Sequence, residues 1–353
     1  MGPLLKETNE EDGWVIKKKE VMMVKKESIP IVYFFMLFFI SFFIVQGIVE
    51  GAEKYPEKPV AIIRPTEPGG AGETLVRALN EIFPKYFGQS LLNITKPGGG
   101  GAVGMMEVKK SRNDGYTIGM TWAGFLTTRS HLTDIPYSID DFEYIIGVAS
   151  SPIVAIALPQ SPYNNIRDVV EAAKKLSPGK ITYGTPAIGS YHHLGTEQIA
   201  MKYGIKLSHV PFKGSAETLT NLLGGHVDFA LLLGPEAIPH IKDGKVQGIA
   251  VYSKDRYQKI PDISTAREQG INIDHSLFTL LFAPKDTLKE RVSTLHAAFK
   301  KTLEDPEFVA LAKKLEIDTK YISGDEVHRE LKRQHLEYGE IIKTLKIGKY
   351  KEK

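Results

Sequence analysis

From residue 60 onward, short apolar runs alternate with stretches in which apolar residues recur every three or four positions. The runs predict strands over 60–64, 90–95, 117–122, 144–148, 153–158, 181–184, 207–210, 229–233, 247–252 and 277–282. The periodic stretches predict helices over 74–87, 101–110, 166–176, 191–203, 216–223 and 235–243. Beyond residue 287 the pattern turns helical: an amphipathic stretch over 287–303 comes first. Asp305-Pro306 then supplies an N-cap and an N1 proline for a helix over 307–315. Ser323 and Glu326 have capping-box spacing at the head of a last helix running toward Leu345. Strand and helix in alternation is the pattern of an α/β fold.

Two long apolar pairs interrupt that rhythm: "FEYIIGVASSPIVAIALP" and "VQGIAVYSKDR". Each is long enough to run from one lobe into another. The expectation is a discontinuous first lobe, 53–151 with 256–353, and an inserted second lobe, 152–255. A cleft between lobes is a common small-molecule site.

The N-terminus carries a different signal. "SIPIVYFFMLFFISFFIVQGIV" covers 28–49 without a charge, behind Lys25-Lys26 and ahead of Gly51-Ala52. This is the order of a secretory signal peptide, with translation expected to start at Met22 or Met23. On length the segment could instead stay as a membrane anchor, the lesser alternative. Residues 1–52 are therefore read as an extension plus signal peptide or anchor, with the folded part outside the cytoplasmic membrane, periplasmic or otherwise extracytoplasmic.

Composition narrows the chemistry. The 353 residues include no cysteine, which excludes disulfides, thiolate metal sites, cysteine nucleophiles and a lipoprotein anchor. A net charge of +3, with no basic run interleaved with aromatics, gives no case for nucleic acid.

Four loops carry candidate chemistry. Pro68-Gly69-Gly70-Ala71-Gly72-Glu73 lies between a strand and a helix, where backbone N–H groups and a helix dipole can meet an anion; an ordinary glycine turn fits as well. It lacks the Lys-Ser/Thr ending of a nucleotide P-loop. "KPGGGGAVG" contains Gly99-x-Gly101-x-x-Gly104, the dinucleotide fingerprint, and makes an NAD-dependent dehydrogenase the competing enzyme reading. The next strand, however, ends in Trp122-Ala-Gly and not in the acidic residue that would hold the ribose hydroxyls. "YGTPAIGSYHHLGTE" adds Thr185 and Ser190 as hydroxyl donors; His193 and Glu197 are spaced i, i+4 but lack a third metal ligand. In "HVPFKGSAETL", Lys213 could line the same cleft or sit in a solvated turn capped by Ser215. No loop holds a nucleophile–base pair or paired carboxylates. A site made of donors suits a ligand made of acceptors, such as a carboxylate.

The stretches "YPEKPVAIIRPTEPGGAGETLVRAL", "NDGYTIG", "YGTPAIGSYHHL", "HVPFKGSAETLTNLLGGHVDF" and "AIPHIKDGKVQGIAV" together resemble the extracytoplasmic solute-binding receptors of tripartite tricarboxylate transporters, the Bug family. The resemblance spans about 55–345. It implies a type II periplasmic-binding-protein fold, two α/β lobes joined by two crossing strands and closing on a small organic carboxylate. It also implies a monomeric receptor without catalysis or cofactor, which hands its ligand to a two-component membrane permease. The ligand-binding positions it implies are Thr66, Pro68, Gly69, Gly70, Ala71, Gly72 and Glu73, with Thr185, Ala187, Gly189, Ser190 and His193 facing them. Trp122 and Lys213 are further candidates. This chain departs from the family pattern at Thr66, Glu73, Ala187, Thr95 and Phe278-Thr279, and Glu67 adds a charge beside the loop. Those departures suggest that specificity differs near Thr66, Glu67 and Glu73. A membrane-tethered sensor subunit is the other non-enzymatic alternative.

Overall fold

The computed structural model describes residues 55–351 apart from Glu67 and Gly69. The apolar segment at 28–49, with its signal-peptide or anchor reading, lies outside the described residues. Among those described, no helix is long and apolar enough to cross a membrane.

In chain order the elements are β1 (Val60–Arg64), α1 (Gly70–Phe87), β2 (Leu91–Thr95), α2 (Ala102–Lys110), β3 (Thr117–Trp122), two short helices α3 (Gly124–Thr127) and α4 (Arg129–Leu132), and β4 (Phe142–Ala157). There follow α5 (Ile166–Lys175), β5 (Thr182–Thr185), α6 (Tyr191–Tyr203), β6 (Ser208–Pro211), α7 (Ser215–Leu223), β7 (Phe229–Leu233), α8 (Gly234–Lys242) and β8 (Gln247–Val251). The chain closes with β9 (Ser276–Pro284), α9 (Lys289–Glu304), α10 (Pro306–Lys314), β10 (Thr319–Ser323) and α11 (Gly324–Thr344).

The strands form two sheets that share β4. In the first, β2, β1 and β3 are parallel, and β9 runs antiparallel to both β3 and β4, while β10 flanks β4 on its other side. In the second, the far half of β4 pairs antiparallel with β7 and β8, and β5 and β6 continue parallel beyond β7. The two apolar runs at 144–148 and 153–158 are thus one strand of 16 residues that passes from sheet to sheet. Its far half, from Ile153 to Ala157, is fully buried between its neighbours, which explains why its sequence is apolar without alternation.

The excursion after β8 bonds on two sides. Its start reaches the residues ahead of β10, with the Tyr257 hydroxyl donating to Asp318 Oδ2 (2.6 Å) and Lys259 Nζ to Glu316 O (2.9 Å), and its later part bonds to the second sheet's elements. Ala266 N–H donates to Val251 O (2.9 Å), Gln269 Nε2 to Ile249 O (2.9 Å), and Ile166 N–H to Gln269 Oε1 (2.8 Å). His275 N–H then donates to Tyr252 O (2.7 Å), and β9 starts at the next residue. Residues 266–275 therefore pack with the second sheet before β9 begins at Ser276. Periodicity missed this because the excursion is built of turns.

The largest apolar cluster draws on both sheets, from Ile63, Tyr144 and Phe282 to Ala155, Tyr183 and Phe229, and each sheet has a smaller cluster of its own on one face. On the first, α1 buries Leu75, Val76, Leu79 and Phe83 against β1, β3 and α9, with the Phe83 and Phe299 rings 4.3 Å apart. Each such side chain contributes on the order of 1.5–3 kcal/mol by its removal from water. On the second, Val154, Ile156, Leu222, Leu232 and Ile238 form a separate cluster.

Candidate functional site

Helix α1 begins at Gly70, four residues earlier than its apolar periodicity indicates, because Gly70, Ala71 and Gly72 adopt helical backbone and contribute no apolar side chain to the pattern. The glycine stretch is therefore the first turn of the helix. In a helix the first-turn N–H groups lack an intrahelical acceptor four residues back, an arrangement that suits an anion.

Two adjoining cavities open at the strand ends of both sheets. The smaller, about 320 Å³, is walled by Ala71 and Gly72 together with Ser151, Thr279, Glu316 and Asp318. The larger, about 420 Å³, is walled by Phe125, Arg129, Ala187, Gly189, Ser190, His192 and Ser215 among others. Trp122, Leu233, Glu236 and Leu277 line both and form the divide between them. Trp122, at the end of β3, is 37% exposed, which leaves an aromatic face open to a ligand.

Thr66 and Glu73 serve another partner. The Arg64 guanidinium, 1% exposed at the end of β1, donates from Nε to Asn93 Oδ1 (2.8 Å) and from Nη1 to Thr66 Oγ1 (3.3 Å). Its Nη2 lies 3.4 Å from Glu73 Oε2. Burial lowers the Arg64 pKa and the Glu73 charge opposes that shift. A buried cation must be paired, and these two residues pair it. Neither is on the wall of these two cavities, and Glu73 forms an ion pair beneath the helix start. Pro68 is exposed and also off both cavity walls, while Glu67 and Gly69 lie outside the described residues.

The third loop divides into a front and a back. Ala187, Gly189 and Ser190 face the larger cavity. Ser190 is the N-cap of α6: its Oγ accepts from His193 N–H (3.4 Å) and donates to Ala187 O (2.8 Å). Thr185 and His193 are buried behind. The Thr185 hydroxyl bonds to Ala187 O (3.1 Å) and lies 2.7 Å from His209 Nε2. His193 Nδ1 accepts from Gly189 N–H (3.0 Å) and its ring stacks on His209 with centroids 3.8 Å apart. That bond holds Gly189 at φ +71°, and a Cβ there would press 2.6 Å from Leu132. Burial, aided by His209, lowers the His193 pKa to about 3, so the ring is neutral and its Nδ1 is an acceptor. His193 thus shapes the loop from behind. Glu197, its i+4 neighbour, accepts from the Tyr183 hydroxyl and points to a different partner.

Lys213 is exposed and off the cavity walls; its backbone N–H donates to Glu217 Oε2 (2.9 Å), and the next hydroxyl, Ser215, is the one that reaches the cavity. The second glycine loop holds Gly98–Gly101 at φ between +56° and +119°. A Cβ on Gly100 would fall 1.5 Å from Arg129 Nη2, and one on Gly101 would fall 2.0 Å from the Phe125 ring. The face that a dinucleotide pyrophosphate would need is occupied by these two side chains.

Sequence reasoning missed Arg129, His192, Glu236 and Asp318. Glu236 had a signal, since Gly234-Pro235-Glu236 is another strand-to-helix junction of the type singled out elsewhere. Arg129 had none: it sits in a four-residue helix without glycine or periodicity.

Comparison with known proteins agrees with this architecture. The model of the tripartite tricarboxylate transporter family receptors matches residues 75–347. A protein of the gbd 5′ region of Cupriavidus necator is 30% identical over 276 residues, covering 78% of this chain and 84% of its own. The crystal structure of a TctC solute-binding protein from Polaromonas superposes with a TM-score of 0.74 at 26% identity, covering 82% of this chain and 99% of that one. The periplasmic binding protein BugD superposes at 0.64 with 30% identity, covering 83% and 99%. The dehydrogenase alternative gives way to these matches, and the chain belongs to the tripartite tricarboxylate transporter family receptors, a family of solute-binding proteins rather than enzymes.

Proposed function

We propose that this receptor captures a small organic carboxylate in the cleft between its two lobes, outside the cytoplasmic membrane, and delivers it to a two-component permease of the tripartite tricarboxylate type. The observation that carries this reading is the convergence of helix starts on the two cavities. Ala71 and Gly72 of α1 line one, and Tyr191 and His192 in the first turn of α6, with Ser215 of α7, line the other. First-turn amides and hydroxyls are donors, and a carboxylate is the small ligand whose charge and lone pairs such donors satisfy. The family description supports the same ligand class.

The lobes in this reading are 55–151 with 276–351, and 152–275, joined by β4 and by the passage into β9. Ligand contacts from both would select a closed arrangement. Export by a signal peptide around 23–52 fits an extracytoplasmic receptor. Retention of that segment as an anchor is the alternative, and N-terminal sequencing of the mature protein decides between them.

The test is a thermal-shift screen of aliphatic, aromatic and amino carboxylates. A ligand that binds only the folded state raises the apparent melting temperature. At least one stabiliser with saturable binding is expected; none across the three classes would overturn the carboxylate reading.

A further inference from the structure

We propose that the larger cavity is an anion subsite centred on Arg129. We further propose that the ligand carries a carboxylate at one end only, its other end, uncharged or cationic, lying in the smaller cavity. This inference rests on the carboxylate-receptor reading above.

Arg129 is unlike the other arginine at the cleft. Arg64 has its charge met by Glu73 and its donors met by Asn93 and Thr66. Arg129 is half-buried on the wall of the larger cavity; its guanidinium has no hydrogen bond or ion pair among the described residues, and its Nε is shielded from water without an acceptor. A guanidinium has five donors, and a shielded one without an acceptor costs folding free energy. The structure nevertheless makes room for it. Four glycines in left-handed backbone open the loop at 98–101, and any side chain on Gly100 would collide with the guanidinium.

A second donor points the same way. His192 lines the same cavity, is 7% exposed, and both of its ring nitrogens lack partners among the described residues. Arg129, the unpartnered His192 ring behind the wall, and the first-turn amides of Tyr191 and His192 bring a cation, a shielded ring and backbone donors to one cavity. A carboxylate can take bonds from such donors.

The opposite end has the opposite sign. Glu236 lines both cavities, and Glu316 and Asp318 line the smaller. Lys259, 2.7 Å from Asp318, meets one of these three charges. The start of α1 also reaches this cavity through Ala71 and Gly72, but a helix end carries only about half a charge, and a second carboxylate there would still face Glu236 and Glu316, whereas a methyl or an ammonium group would not.

Two probe sets of matched length test this on the full chain by titration calorimetry. One is hexanoate, 6-aminohexanoate and adipate. The other is 4-methylbenzoate, 4-(aminomethyl)benzoate and terephthalate. In the set that binds, the two single carboxylates are expected to bind about tenfold or more tighter than the dicarboxylate. R129Q is expected to weaken the best probe by about tenfold to a hundredfold, the loss of a charge-assisted hydrogen bond, with R129K in between. Its unliganded circular dichroism should match wild type; if R129Q does not fold, R129K carries the comparison. E236Q should tighten the dicarboxylate of the binding set. Affinity of R129Q, or of R129K should R129Q not fold, within about twofold of wild type would overturn the anion subsite. A dicarboxylate bound as tightly as its partners, or unmoved by E236Q, would overturn the one-ended ligand. Wild type binding none of the six would instead count against the carboxylate-receptor reading itself.

Discussion

The Tyr191 hydroxyl donates a 2.5 Å hydrogen bond to Oε1 of Gln334, 143 residues further along the chain, and both side chains are buried. Tyr191 is the first residue of α6 and lines the larger cavity, while Gln334 lies in the middle of α11. The same hydroxyl is 2.7 Å from Thr127 Oγ1, and the Tyr191 and Tyr338 rings lie 4.7 Å apart. The helix start that lines the larger cavity is therefore fixed to elements beside the first sheet, not only to its own.

Tyr191→Phe removes the donor and leaves Gln334 Oε1 buried without it. A loss of about 1–2 kcal/mol of stability is expected, read by urea denaturation. In a double-mutant cycle with Gln334→Leu the coupling should be about 1 kcal/mol; strictly additive losses would show that the bond contributes nothing.

Glu73→Gln tests whether that residue serves Arg64 or the ligand. Removing the carboxylate leaves a guanidinium that is 1% exposed without its charge partner, and a loss of about 2 kcal/mol is expected. Carboxylate affinity should stay near that of wild type, because Glu73 is off both cavity walls. A large change in affinity with unchanged stability would return Glu73 to the ligand.

Acid should destabilise the protein through its buried histidines. Burial lowers His192 and His209 to about 4 and, with charged or histidine neighbours, His193 and His275 to about 3. Below the unfolded value near 6.5, the unfolded chain takes up protons that the folded chain refuses. Their contribution is thus complete above about pH 6.5 and falls away as the pH drops toward the folded values, each group adding up to about 1.4 kcal/mol per pH unit. Denaturant midpoints measured from pH 7 to pH 4 should fall steadily; a flat profile between 6.5 and 5 would contradict neutral burial of these rings.

His193→Ala should weaken carboxylate binding without touching the ligand, since Gly189 N–H loses its acceptor and the loop its hold. His193→Gln, which offers a carbonyl oxygen, should recover part of the loss. Equal affinity for both variants would separate the His193 bond from loop geometry. Crystal structures or amide exchange at Gly189 would show whether the loop has moved.

The sequence by itself determined most of the elements and their order, though not β10, α3 or α4, nor that β4 is one strand. Hydrophobic period and capping residues act within a few positions, so β1, β3, β7, α6 and the Asp305 and Ser323 caps are legible from residues alone. It also indicated which loops present donors, because strand–glycine–helix junctions are local; Ala71, Gly72, Ala187, Gly189 and Ser190 do line the cavities. Only the tertiary structure decided what those donors are paired with. Whether Glu73 meets a ligand or Arg64, whether His193 faces the cavity or supports Gly189, and whether Arg129 has an acceptor all depend on residues far apart in sequence. Charge pairing in a buried setting is a property of three-dimensional neighbours, and no local pattern along the chain encodes it.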